Sequence, residues 1–165
     1  MNNKLIYVFV SMLLIFASCQ NDDIEYTETG KLAGEWWVSY EVKDASGVWQ
    51  SIGSDHLPLL TYNTAANSAS EMYVDDRGEF WDFKVKAAVT PGTLTFGSDA
   101  KLENLSYENC QVTITNGEVL YGVGRSKTGI ATDSICFYVQ FSDDDDNLTY
   151  KVSGHKRTGW TDDEY

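Results

Sequence analysis

Gly34-Glu35-Trp36-Trp37-Val38-Ser39-Tyr40-Glu41-Val42-Lys43 alternates without a break. Trp36, Val38, Tyr40 and Val42 share one face; Glu35, Trp37, Ser39, Glu41 and Lys43 share the other. Side chains of a strand point to opposite faces in turn, so this stretch predicts a strand with one buried face. Asp44-Ala45-Ser46-Gly47 reads as a turn, and Val48 to Ile52 as the returning strand. The same grammar continues downstream. A strand near Leu60–Asn63 is followed by Glu71-Met72-Tyr73-Val74, closed by the turn Asp75-Asp76-Arg77-Gly78. A strand over residues 79–89 then places Trp81, Phe83, Val85 and Ala87 inward. Phe80, Asp82, Lys84 and Lys86 fall outward, because unpaired charges are costly to bury. Pro91-Gly92 turns the chain before Thr93–Phe96.

Cys110 to Thr115, Asn116-Gly117 and Glu118 to Tyr121 predict a hairpin, since Asn-Gly is the favoured type I′ turn pair. Ile135, Phe137, Val139 and Phe141 alternate along the next strand. After a polar turn at Asp143–Asn147, Leu148, Tyr150 and Val152 stay in phase on a last strand running to about Arg157. Such a chain has hairpin-length connections and no helical period. Closure into a barrel removes every sheet edge, which a sandwich does only in part. The expected fold is all-β, an antiparallel up-and-down barrel of about eight strands. Only two prolines among frequent aromatics agree with that class.

The amino terminus has a different character. Lys4 precedes an apolar run from Leu5 to Phe16, and Ala17-Ser18 precede Cys19. A positive residue, a short apolar stretch and small residues before the cut form an export signal. The run is too short to cross a bilayer stably. The expected organisation is a signal peptide over 1–18, a tether over 19–31 and a barrel over 32–165. Removing 1–18 takes away Lys4 and no acid, moving the net charge from −13 to −14. Such a charge argues against nucleic acid, whose phosphates call for a basic face.

Two resemblances add to this reading. Phe16-Ala17-Ser18-Cys19 resembles a lipobox, which implies acylation at Cys19 and a membrane anchor. Gln20-Asn21-Asp22-Asp23-Ile24-Glu25 resembles the acidic tag that sends some Gram-negative lipoproteins to the outer face of the outer membrane. In the domain, Gly34-Glu35-Trp36 is similar to the Gly-x-Trp signature of lipocalins and the wider calycin group. His155-Lys156-Arg157 supplies the basic residue that those barrels set across the tryptophan. The resemblance implies a lipocalin-like barrel closed by Trp36 with Arg157 against or near its indole. From Leu32-Ala33-Gly34-Glu35-Trp36-Trp37-Val38 through Tyr62-Asn63-Thr64 and Phe80–Val85 to Gly154-His155-Lys156-Arg157, the chain also resembles small lipoproteins described as "lipid-binding putative hydrolases".

The chemistry is sparse. Ser54-Asp55-His56 holds triad residue types, but a triad is a matter of spatial geometry, and no Gly-x-Ser-x-Gly elbow is present. His155 reads as a strand residue beside the closing base. No cofactor or metal is expected. Asp143-Asp144-Asp145-Asp146-Asn147 lacks the spacing of a calcium loop and reads as a solvated turn. Whether Cys110 and Cys136 pair is left open. The expected function is an apolar or lipid-like ligand held in the barrel. Its candidate lining is Tyr40, Val42, Trp81, Phe83, Val85, Phe137, Val139, Tyr150 and Val152. The competing expectation is a protein- or glycan-binding surface using outward aromatics such as Trp37, Trp49 and Trp160.

Overall fold

The computed structural model describes residues 26–165. The leader 1–18, the acylation candidate Cys19 and residues 20–25 lie outside the described residues. Ten strands follow in order: β1 Gly34–Lys43, β2 Trp49–Ser51, β3 Leu57–Asn63, β4 Glu71–Asp75, β5 Lys84–Thr90, β6 Thr95–Phe96, β7 Leu102–Glu103, β8 Gln111–Arg125, β9 Ala131–Phe141 and β10 Tyr150–Lys156. A short 3₁₀ turn, Thr161–Asp163, follows the last strand.

Each strand pairs antiparallel with its neighbour, and β10 returns to β1 from Trp36↔Lys156 to Glu41↔Lys151. Eight strands thus form a closed up-and-down barrel: β1, β3, β4, β5, β6, β8, β9 and β10. Short β2 extends the β3 side of β1, and β7 pairs with β8 alongside β6. One end carries residues 27–33 and the turns after β3, β5 and β8. The other end, called the mouth below, carries the loops after β1, β4, β6 and β9.

The inward positions of β1 do what their spacing dictates: Trp36, Val38 and Tyr40 are each 1% exposed. Leu59, Val74, Val85, Ile114, Ile135, Phe137 and Val139 are fully buried beside them. An eight-stranded barrel is just wide enough for side chains to fill it, and these fill it.

Trp36 closes the end opposite the mouth. Its Nε1–H donates to Thr61 Oγ1 at 2.8 Å, and that hydroxyl donates to the Leu32 carbonyl at 2.6 Å. Leu32, the first residue of the expected barrel, is fully buried, and so is Thr29 within the stretch expected as tether. The cation over the Trp36 ring is Lys156, with Nζ 5.7 Å from the centroid. Arg157 instead lies 5.6 Å over Trp37 and bonds Glu35 and Glu164. Alternation explains the correction: Lys156 is the register partner of Trp36 and shares its face, and the next residue cannot. Gly34 makes room for this stack. A Cβ there would stand 3.0 Å from the Lys156 Cε and 3.2 Å from the indole.

Two expected elements differ. Asn116-Gly117 is not a hairpin turn; β8 runs through it as one strand. The register to β9 slips there by one residue, from Thr115↔Tyr138 to Glu118↔Cys136. The pair forms a β-bulge, with Asn116 at φ 51°. A Cβ on Gly117 would come within 2.5 Å of the Phe96 ring, so only glycine fits under β6. The strand expected over 79–89 begins at Lys84, and residues 76–83 form a loop.

Candidate functional site

The loop at 76–83 builds the mouth, and one carboxylate organises it. Buried Asp76 accepts the backbone N–H groups of Gly78, Phe80, Trp81 and Phe83, at 3.0, 3.4, 2.8 and 2.8 Å. The chain has to curl around that side chain, and Asp82 takes φ 51°. Alternation is lost. Phe80, expected to face outward, turns in and stacks on Tyr40 with centroids 4.0 Å apart. Trp81, expected on a strand, lies half-buried and parallel to Phe141 at 4.6 Å.

Tyr150 meets both rings, 5.1 Å from Phe80 and 5.7 Å from Trp81. Phe83 lies below, 5.5 Å from Phe141. Six aromatic rings therefore stopper the barrel, three of them (Phe80, Trp81 and Phe83) carried by the Asp76 loop. Offset and edge contacts of this kind each add about 0.5–1.5 kcal/mol beyond area burial.

A polar rim surrounds the stopper. Asp143 accepts from Tyr107 Oη at 2.7 Å, Trp81 Nε1 at 3.1 Å and Cys110 Sγ at 3.1 Å. Burial works to raise the Asp143 carboxyl, but those three donors hold it below its ordinary value. Burial and the Asp143 charge push the Cys110 thiol up, so it stays a protonated donor, the opposite of an activated nucleophile. Asp144 caps the next turn, accepting from the Asp146 and Leu148 N–H groups and from Tyr150 Oη. Burial first, and then Asp144, push that phenol up to about 12. The acids of 143–147 thus organise a turn, for the local hydrogen-bonding reasons that favour Asp there.

Residues 21–161 match the family described as "Lipid-binding putative hydrolase". The chain belongs to that family. No curated protein matches it. Among solved structures it is similar to a structural-genomics protein of unknown function from Bacteroides ovatus, at 15% identity and a TM-score of 0.48. The match covers 76% of this chain and 42% of that one, so the chain spans less than half of that structure's length.

In this member of the lipid-binding family, the nine lining candidates separate by depth. Tyr40, Phe83, Val85, Phe137, Val139 and Val152 are buried inside the barrel. Tyr150, Trp81 and half-buried Val42 sit at the mouth. The sequence reading missed Phe80, Phe141, Tyr107 and the part played by Asp76. The triad residue types go elsewhere. Asp55 accepts from Ser51 Oγ, and the His56 ring stacks on Tyr165 at 3.7 Å. His155 Nε2 lies 3.4 Å from the same phenol oxygen. Trp37 packs edge-on to Tyr165 at 5.6 Å, so the C-terminal segment covers one of the outward aromatics. Cys110 and Cys136 are both free thiols.

Proposed function

We propose that this protein is a lipid-anchored, outer-membrane, lipocalin-like barrel that binds a small apolar or lipid-like ligand at its mouth. The observation that carries the binding reading is the Phe80–Trp81 stopper. Two large rings sit over an apolar interior on a short loop whose backbone is gathered by Asp76 and tied to the rim by Asp143 at the Trp81 indole and Asn104 at the Asp82 carbonyl. Lifting that loop uncovers Tyr40, Phe141 and Tyr150, an aromatic floor on which an acyl chain replaces the two rings. The family's lipid-binding description supports the ligand class. The protonated Cys110 thiol favours binding over nucleophilic hydrolysis. Anchoring at Cys19 and display on the outer face rest on the lipobox-like and acidic sequences. Gly34-Glu35-Trp36, with Lys156 over the indole, supports the calycin kinship.

Titration with parinaric acid, an apolar fluorescent fatty acid, tests the reading. The wild type is expected to bind it in the micromolar range. Phe80→Ala, which removes one ring of the stopper, is expected to bind several-fold tighter. Absence of binding in both proteins, with the fold intact, would sink the proposal.

A further inference from the structure

The outer wall carries a second aromatic feature, on the outward face of the sheet and opposite to the face that bears the stopper. Trp49 on β2 and Tyr138 on β9 reach toward each other across β1 and β10, with ring centroids 5.6 Å apart. Lys43 and Lys151 ammonium groups lie 5.0 and 6.0 Å from the indole centroid and help hold it in place. The two rings line a groove of about 530 Å³ whose other walls include Thr115, Asn116, Gln140 and Asn147. A second depression of about 640 Å³ shares Asn116 and Tyr138 with the first, so one trough runs along the wall. Each volume is in the range of small-molecule sites.

The polar walls are placed to receive hydroxyl groups. Gln140, which lines the groove, donates Nε2–H to Thr149 Oγ1 at 2.9 Å and keeps its carbonyl oxygen as an acceptor. Asn116 occupies the junction of the two depressions because of the bulge. The extra residue has no partner on β9, and the left-handed backbone at Asn116 puts its amide on the exposed side. Bulges commonly re-aim a side chain in this way beside binding sites. Charges along the trough oppose each other, with Lys43 in one half and Glu118 in the other.

We infer that this trough binds a neutral oligosaccharide. The aromatic faces take the C–H faces of sugar rings, and the amides and threonine hydroxyls pair with the sugar hydroxyls. This site is independent of the mouth, and neither requires the other.

The test is calorimetric titration of the full chain, in detergent micelles, with maltoheptaose, cellohexaose, xylohexaose, mannohexaose and chitohexaose. An oligogalacturonate serves as the acidic comparison. At least one neutral oligosaccharide is expected to bind. Trp49→Ala and Tyr138→Ala are each expected to weaken that binding tenfold or more, and Asn116→Ala three- to tenfold. Trp49→Phe should restore most of the affinity, and a urea midpoint establishes that each variant is folded. Parinaric acid binding should be unchanged in all of them, which separates failure at the trough from failure at the mouth. The inference is overturned if no neutral oligosaccharide binds, if only the acidic one does, or if binding survives both aromatic truncations.

Discussion

Replacing Asp76 with alanine should cost more than any surface acid has a right to. The side chain accepts four backbone N–H groups within one loop. Gly78 is exposed, so water replaces that acceptor at little cost. The Phe80 N–H makes the longest of the four contacts, at 3.4 Å, and is the weakest. The Phe83 N–H belongs to a fully buried residue, and that of Trp81 to a half-buried one of the stopper itself. A buried donor left without a partner costs about 1–3 kcal/mol. Two such groups, with partial relaxation of the loop, put the expected loss at about 2–5 kcal/mol. Asp76→Asn keeps one acceptor oxygen and turns an amide toward the remaining donors, so its loss should be smaller. Urea unfolding measures the stability, and amide hydrogen exchange at residues 78–83 locates it. The same loosening should speed parinaric acid association. A loss below about 1 kcal/mol, the least that one orphaned donor costs, together with unchanged exchange at Trp81 and Phe83, would refute the pinning role.

Three further outcomes are expected. Trp36→Ala should destabilise by about 3–5 kcal/mol as a large core truncation. Lys156→Ala should cost less, and in the double mutant the two losses should fail to add because the side chains touch; additive losses in urea would deny that contact. Hydrogen bonds from Thr128 and Thr158 hold the Asp163 carboxyl far below its ordinary value. A depressed acid stabilises the fold above its unfolded pKa, about 3.9, and that contribution is lost as pH falls through the folded value. Thermal midpoints below pH about 4 should therefore drop more steeply in the wild type than in Asp163→Asn. Cys19→Ala should release the protein from the membrane fraction; a mutant that fractionates like the wild type and shows no difference in acyl labelling would refute the anchor.

The barrel is legible wherever side-chain period alone decides the backbone. In β1, β9 and β10 the apolar residues alternate with polar ones, and the inward positions Tyr40, Phe137, Val139 and Val152 follow directly. The mouth is illegible for the opposite reason. Residues 79–83 alternate well enough to pass for strand, but Asp76 collects their N–H groups and curls the chain, a competition that period cannot register. Asn116-Gly117 carries the strongest short-range hairpin signal and becomes a bulge, because β8 has β9 on one side and β6 and β7 on the other, and continues past it. Only half of the turn's local conformation is there, since φ is positive at Asn116 and not at Gly117, and the tertiary use as a bulge is not legible in the pair. Lys156 and Arg157 differ by one position, and only the register of β10 decides which of them meets Trp36.

The seam between β1 and β10 bears on how the molecule is made. The ion pair Lys151–Glu41 that crosses it joins residues 110 positions apart. Contacts so distant in sequence are the slow ones to form, since loop-closure entropy is lost before they return any stabilisation. A chain synthesised from its amino terminus holds β1 open along one edge until β10 has been made. Until then the growing domain presents an unpaired strand to any neighbour, the condition that invites aggregation. Folding is thus completed at the last strand. A truncation before Tyr150 opens two edges at once, on β1 and on β9, and its expected product is an aggregate.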